Sequence, residues 1–130
     1  MNHRALFLAP AVAAAALAAT ALPASAASPN DNCFRLSQVS STHADGDRKI
    51  YVRVGVNSFY RIDLAHRCAS LPYQGNHLVL TPTPGSDLIC HPLDLDLKVS
   101  ENGSQESCFI QSITRLTPAE AAAIPKKVKP

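Results

Sequence analysis

"KIYVRVGVNSFYRIDL", residues 49–64, carries two runs of alternating apolar and polar side chains. In its first run Ile50, Val52 and Val54 alternate with Tyr51 and Arg53; in its second, Tyr60, Ile62 and Leu64 alternate with Arg61 and Asp63. A two-residue period puts every second side chain on the same face, which is the pattern of a strand buried on one side. The "GVN" between the runs supplies Gly55 and Asn57 for a tight connection, so the stretch predicts an antiparallel hairpin.

Downstream, "AHRCASLPYQGN" (65–76) is a longer connection containing Cys68, and "HLVLTP" (77–82) is a strand closed by Pro82. "LIC" (88–90) is a brief strand that Pro92 interrupts. "LDLDLKV" (93–99) has the strongest alternation, with Leu93, Leu95, Leu97 and Val99 on one face and Asp94, Asp96 and Lys98 on the other. Asn102-Gly103 signals a hairpin, and "CFIQSI" (108–113) is the last strand. Upstream, "CFRLSQV" (33–39) predicts a short strand with Phe34 and Leu36 on one side, and "SSTHADGDR" (40–48) a loop turning at Asp45-Gly46. At the C-terminal end, Thr117 as N-cap, Pro118 at the first helical position and Glu120 three residues after the cap predict one short helix that Pro125 stops. The expected fold is mainly β: a small antiparallel sheet or barrel of six to seven strands with one short C-terminal helix.

The first residues read "MNHRALFLAPAVAAAALAATALPASAASPND". A basic start at His3 and Arg4, an apolar stretch and the small-x-small triplet Ala24-Ser25-Ala26 form a secretory signal cleaved after about Ala26. The expected organisation is a signal peptide at 1–26, a flexible lead-in at 27–32, a single β-rich domain at 33–124 and a disordered basic tail at 125–130. Cleavage leaves roughly 100 residues, enough for one small domain. It also leaves no membrane anchor, and it delivers a monomeric protein to the periplasm or the medium. The whole chain carries a formal charge of +2, and the only basic cluster is the tail "IPKKVKP", so nothing points to nucleic acid.

All four cysteines, Cys33, Cys68, Cys90 and Cys108, follow the signal, and an even count in a small exported chain reads as a disulfide framework. Spacing allows three connectivities. Because first and last strands commonly neighbour each other when a small sheet closes, the expected pairs are Cys33–Cys108 and Cys68–Cys90.

The chemical groups converge poorly. His66 and Cys68 with Cys90 and His91 make a zinc-type donor set, but their spacings are not those of structural zinc motifs and an oxidising compartment favours disulfides. Asp94 and Asp96, two apart in a strand, would sit about 6.5–7 Å from each other, a separation usable in glycoside chemistry. Their place on the polar face of an amphipathic strand makes them surface carboxylates instead. "DGD" at 45–47 lacks the remaining ligands of a calcium loop. No nucleophile motif is present. Tyr51, Phe59, Tyr60 and Tyr73 are candidates for a binding face, with Tyr60 the one expected in the core.

"CFRL", "FYRIDLAHRCASL", "DLIC" and "CFIQSITRLTPAEAAAI" together make the chain resemble a bacterial family of small exported four-cysteine proteins, the domain of unknown function 6491. The resemblance spans about residues 33–124. Family members often place small residues and an Asp after the third cysteine; here His91-Pro92-Leu93 intervene before Asp94. It implies an exported four-cysteine domain and no activity, substrate or catalytic residue. The expected function is that of a non-enzymatic binding or envelope accessory protein, with no cofactor, no metal and an envelope or extracellular partner. The alternative is a small envelope hydrolase or metal-binding protein using His66, His91, Asp94 and Asp96.

Overall fold

A computed structural model describes residues 32–73 and 75–130; the expected signal at 1–26 and all but the last residue of the expected lead-in lie outside the described residues. The element order is β1 (Phe34–Arg35), β2 (Val39–Ala44), β3 (Lys49–Val54), β4 (Ser58–Leu64), β5 (His77–Pro82), β6 (Leu88–Ile89), β7 (Leu95–Glu101), β8 (Ser104–Cys108), β9 (Ile110–Arg115) and α1 (Pro118–Ala123). Short 3-10 turns occupy Leu36–Gln38, Pro92–Asp94 and Lys126–Val128. All pairings are antiparallel, in three sheets with the orders β1-β6, β2-β3-β4-β9 and β5-β7-β8. The fold is mainly β with one short helix, and the sheets do not close into a barrel.

The hairpin forms as its alternation dictates: Ile50 pairs with Ile62 and Val52 with Tyr60. Ile50, Val52, Ile62 and Leu64 are buried, and they join Leu95, Leu97 and Val99 of β7, Phe34 of β1 and Ile89 of β6 in one core. Phe34 and Tyr60 pack with ring centroids 4.8 Å apart, and the Tyr60 hydroxyl donates to the Cys33 carbonyl at 3.1 Å. The β7–β8 connection is the two-residue turn expected at Asn102-Gly103. Both residues have positive φ, 46° and 86°, which is why Asn and Gly stand there.

Several expectations need correction. Residues 40–44 belong to a strand and not to a loop: β2 pairs with β3 from Val39 to Ala44, with an irregularity between Val39 and Ser41. As the edge of its sheet, β2 is half exposed and tolerates Ser, Thr and His, which hid it from a hydrophobic pattern. The run "CFIQSI" is broken at Phe109, which is 69% exposed; Cys108 ends β8 and Ile110 begins β9. The chain thus passes from the three-stranded to the four-stranded sheet by a bend and without a turn. Leu93 is not a core residue but 87% exposed. Pro92 has no N–H to give a ladder, residues 92–94 coil into a 3-10 turn, and the strand starts only at Leu95.

The disulfides are Cys33–Cys90 and Cys68–Cys108, not Cys33–Cys108 and Cys68–Cys90. β1 pairs with β6, not with the last strand, in the register Phe34–Ile89, so Cys33 and Cys90 come to face each other with Cα atoms 4.2 Å apart. The connection after β4 carries Cys68 to the end of β8, where its Cα is 5.6 Å from that of Cys108. Both bridges tie loop or strand ends to the core, and the described residues contain no free cysteine.

Residues 125–130 are not a disordered tail. Lys126–Val128 form a 3-10 turn, and Val128 is 8% exposed against Tyr51 and Ile124. Phe59 and Leu116 pack on this second cluster. Strand parity accounts for it: Tyr51 and Phe59 point away from the main core, and α1 with the C-terminal strap covers that opposite face of the sheet.

Candidate functional site

The residues singled out in the sequence are scattered. His91 and Asp94 meet, with Nδ1 3.4 Å from Oδ2, in the turn after β6. Asp96 lies on β7 and pairs with Lys98 at 3.0 Å. His66 is exposed beyond β4 and has no hydrogen bond or ion pair among the described residues. Cys68 anchors its segment to β8 and Cys90 anchors that of His91 to β1, and among the described residues His66, His91 and Asp94 form no group of ligand atoms within 4.8 Å.

Among the described residues, the one group of three potential metal ligands within 4.8 Å of one another is Cys68, Glu106 and Cys108. Its two sulfurs are consumed by the disulfide. The Glu106 carboxylate accepts the N–H groups of Ala69 and Ser70 at 3.1 and 2.8 Å.

That use of a carboxylate recurs. Asp94 accepts from the N–H groups of Cys90 and His91 at 2.9 and 2.8 Å. Asp87 accepts from the Ser37 N–H at 2.9 Å and its hydroxyl at 2.6 Å. Glu120 accepts from the Thr117 N–H at 2.7 Å while Thr117 caps α1 in return, which is the capping box expected from the sequence. Donated hydrogen bonds stabilise the ionised form. Each of these carboxyls is held below the usual carboxylate range, foremost by the Ser37 hydroxyl for Asp87 and by backbone N–H groups for the other three. They are structural caps that stay charged, and none is poised as a proton donor at neutral pH.

Concave surface is found elsewhere. The larger groove, 930 Å³, runs between the β2–β3 turn and the connection before β5. Its open surface is mostly polar, with His43, Asp45, Asn76, His77 and Lys127 and the exposed Tyr73 around a floor of Leu71, Leu78, Val99 and Val128. A second groove of 600 Å³ lies where the start of β4, the end of β9 and α1 meet. Its apolar wall consists of Phe59, Leu116, Pro118, Ala121 and Ala122, and Asn57, Ser58, Arg115, Thr117 and Lys129 complete it. It falls within the range of about 300–1,000 Å³ seen for small-molecule sites, and such sites are mainly apolar with a few polar groups. By that criterion the smaller groove is the better site.

The groove is built from local rules. Arg53 faces Phe59 across the β3–β4 ladder, and its guanidinium lies 5.9 Å from the Phe59 ring centroid while donating to the Val56 carbonyl at 2.8 and 3.0 Å. The Leu116 N–H donates to the Phe59 carbonyl at 2.8 Å, which continues the β4–β9 pairing and sets Leu116 beside Phe59. The capping box then turns α1 across their end. The strap returns Lys129, whose Nζ is 5.6 Å from the Phe59 centroid. Of the aromatics marked as candidates for a binding face, Phe59 lines this groove; Tyr60 is in the core, as expected, and Tyr51 is buried under the strap.

Leu116 and Lys129 were missed in the sequence. One signal was present: Tyr51 and Phe59 fall on the nominally polar face of the hairpin, and two aromatics there announce a second covered surface.

A family model described as "Family of unknown function (DUF6491)" matches residues 1–129 of the chain. Neither the curated proteins nor the solved structures give a match.

Proposed function

Starting from a chain that belongs to the DUF6491 family, whose function is unknown, we propose that it is an exported, disulfide-stapled binding domain without enzymatic activity, and that its ligand occupies the groove of Phe59, Leu116, Ala121 and Ala122. The observation that carries this is the groove itself: an apolar wall on the second face of the β2-β3-β4-β9 sheet, left uncovered between α1 and the strap. Two disulfides in so small a domain suit an oxidising compartment, periplasm or medium. They support export; the N-terminal segment, read as a signal cleaved after about Ala26, would direct it. The commitment of Asp87, Asp94, Glu106 and Glu120 to backbone or hydroxyl donors, with His66, His91 and Asp94 forming no ligand group within 4.8 Å among the described residues, supports binding over hydrolysis.

The test is a fragment screen by backbone-amide NMR on the oxidised protein. Shift changes concentrated at Phe59, Leu116, Ala122 and Lys129 are expected. Changes clustered at His66, His91 and Asp94 instead, or hydrolytic turnover lost in His91→Ala, would overturn the assignment.

A further inference from the structure

The groove's lining is chemically one-sided. Five of its residues present carbon, and the charged residues among the ten are Arg115 and Lys129, with no carboxylate. Arg53 adds a third cation against the same Phe59 ring. Elsewhere on the surface Lys49 pairs with Asp45, Arg61 with Asp63, Arg67 with Asp47 and Lys98 with Asp96, while Arg35, Arg48, Lys126 and Lys127 have no ion pair among the described residues. Arg53, Arg115 and Lys129 form no such pair among the described residues. What sets the groove apart is its lining: the small cavity on the other side of α1 holds Arg61 together with Glu120. A cation beside an aromatic face and unmatched by a carboxylate favours an anion arriving from outside.

We propose that this groove takes a single-chain carboxylate amphiphile, its hydrocarbon laid along Phe59, Leu116 and the Ala121–Ala122 surface of α1 and its head group between Arg115 and Lys129; the proposal rests on the groove being the binding site. The small side chains of Ala121 and Ala122 leave room for a linear chain where a bulkier residue would fill the space. Lys129 belongs to the strap and is held in place by Val128, buried beside Tyr51 and Ile124 three residues after the stop at Pro125. The C-terminal strap is therefore a wall of the site and supplies part of its charge. A paired headgroup and chain also explains why the same ten residues combine a carbon wall with cations, which neither a purely apolar ligand nor a hydrophilic anion would need.

The experiment is calorimetric titration of the oxidised full-length mature protein with decanoate, decan-1-ol and decyltrimethylammonium, all below micelle formation. Decanoate is expected to bind at least tenfold more tightly than the other two. Lys129→Glu should weaken decanoate at least tenfold and leave decan-1-ol unchanged. Ala122→Trp, on the exposed side of the helix, should abolish both, with circular dichroism confirming the fold. Equal affinity for all three probes, lost in Ala122→Trp, would overturn the carboxylate assignment and leave the groove standing as the site. Absence of binding by every probe, with fragments still perturbing the groove, would overturn the amphiphile in the same way. Decanoate binding undiminished in Ala122→Trp would overturn the groove itself.

Discussion

The carboxylate of Asp94 accepts the backbone N–H of Cys90 at 2.9 Å, fastening the turn that follows β6 to the half-cystine that precedes it. The same oxygen takes the His91 N–H at 2.8 Å. Asp94 is thus a clamp on one end of the Cys33–Cys90 bridge. Asp94→Ala should lower the melting temperature without changing the disulfide map. Thermal unfolding monitored by circular dichroism, with peptide mapping alongside, checks both halves of that expectation.

Non-reducing peptide mapping should recover Cys33 linked to Cys90 and Cys68 linked to Cys108. The bridges close spans of 57 and 40 residues, for which chain entropy gives each about 4 kcal/mol. Paired Cys→Ala substitution at either bridge should cost that order of stability in urea unfolding. Recovery of a Cys33–Cys108 peptide would contradict the β1–β6 register.

Leu93 and Leu95 look alike in an alternating run and should behave differently. Leu95 is 5% exposed and Leu93 87%. Leu95→Ala should cost about 2–5 kcal/mol, and Leu93→Ser should stay within about 0.5 kcal/mol of the parent. Comparable losses at the two sites would show that the strand begins earlier than Leu95.

Acid should destabilise the fold in a defined direction. Asp87, Asp94, Glu106 and Glu120 have folded-state pKa values below the unfolded ones, because they accept backbone or hydroxyl hydrogen bonds as anions. The unfolded state therefore binds more protons in the acid range, and stability rises with pH there. The contribution is complete above the unfolded values of about 3.9–4.3, and it disappears as pH falls through the lowered folded ones. Urea midpoints should be flat from pH 7 to about 5 and drop below about 4. The drop should be shallower in Asp94→Asn.

The strap should contribute to stability through one apolar side chain. Val128→Ala removes two buried methyl groups and should cost about 1–2 kcal/mol. Lys127→Ala, at an exposed neighbouring position, should cost almost nothing. Equal effects would mean that the basic charges, and not Val128, hold the segment in place.

Much of this fold can be read locally. The alternations at 49–64 and 95–99 place Ile50, Val52, Ile62, Leu97 and Val99 in the core without any knowledge of partners, because the two-residue period is a property of one strand. The Asn102-Gly103 turn and the Thr117–Glu120 capping box were legible for the same reason: each is decided by the conformational demands of a few consecutive residues. The polar edge strand at 39–44 was not, because its ladder to β3 satisfies its backbone while its side chains carry little hydrophobic signal.

A β-rich, four-cysteine domain ended by a capped helix thus follows from local pattern alone. The sequence also carried the family resemblance in its cysteine neighbourhoods. Which cysteines join was decided only in three dimensions, since the β1–β6 register sets Cys33 beside Cys90 across 57 positions of chain. The second face was decided there too. Tyr51 and Phe59 point away from the main core by strand parity, and only the return of α1 and the strap gives them cover. Leu116 and Lys129 come from separate stretches of the chain, and packing alone brings them to Phe59 to leave an apolar groove whose lining residues include Arg115 and Lys129 and no Asp or Glu.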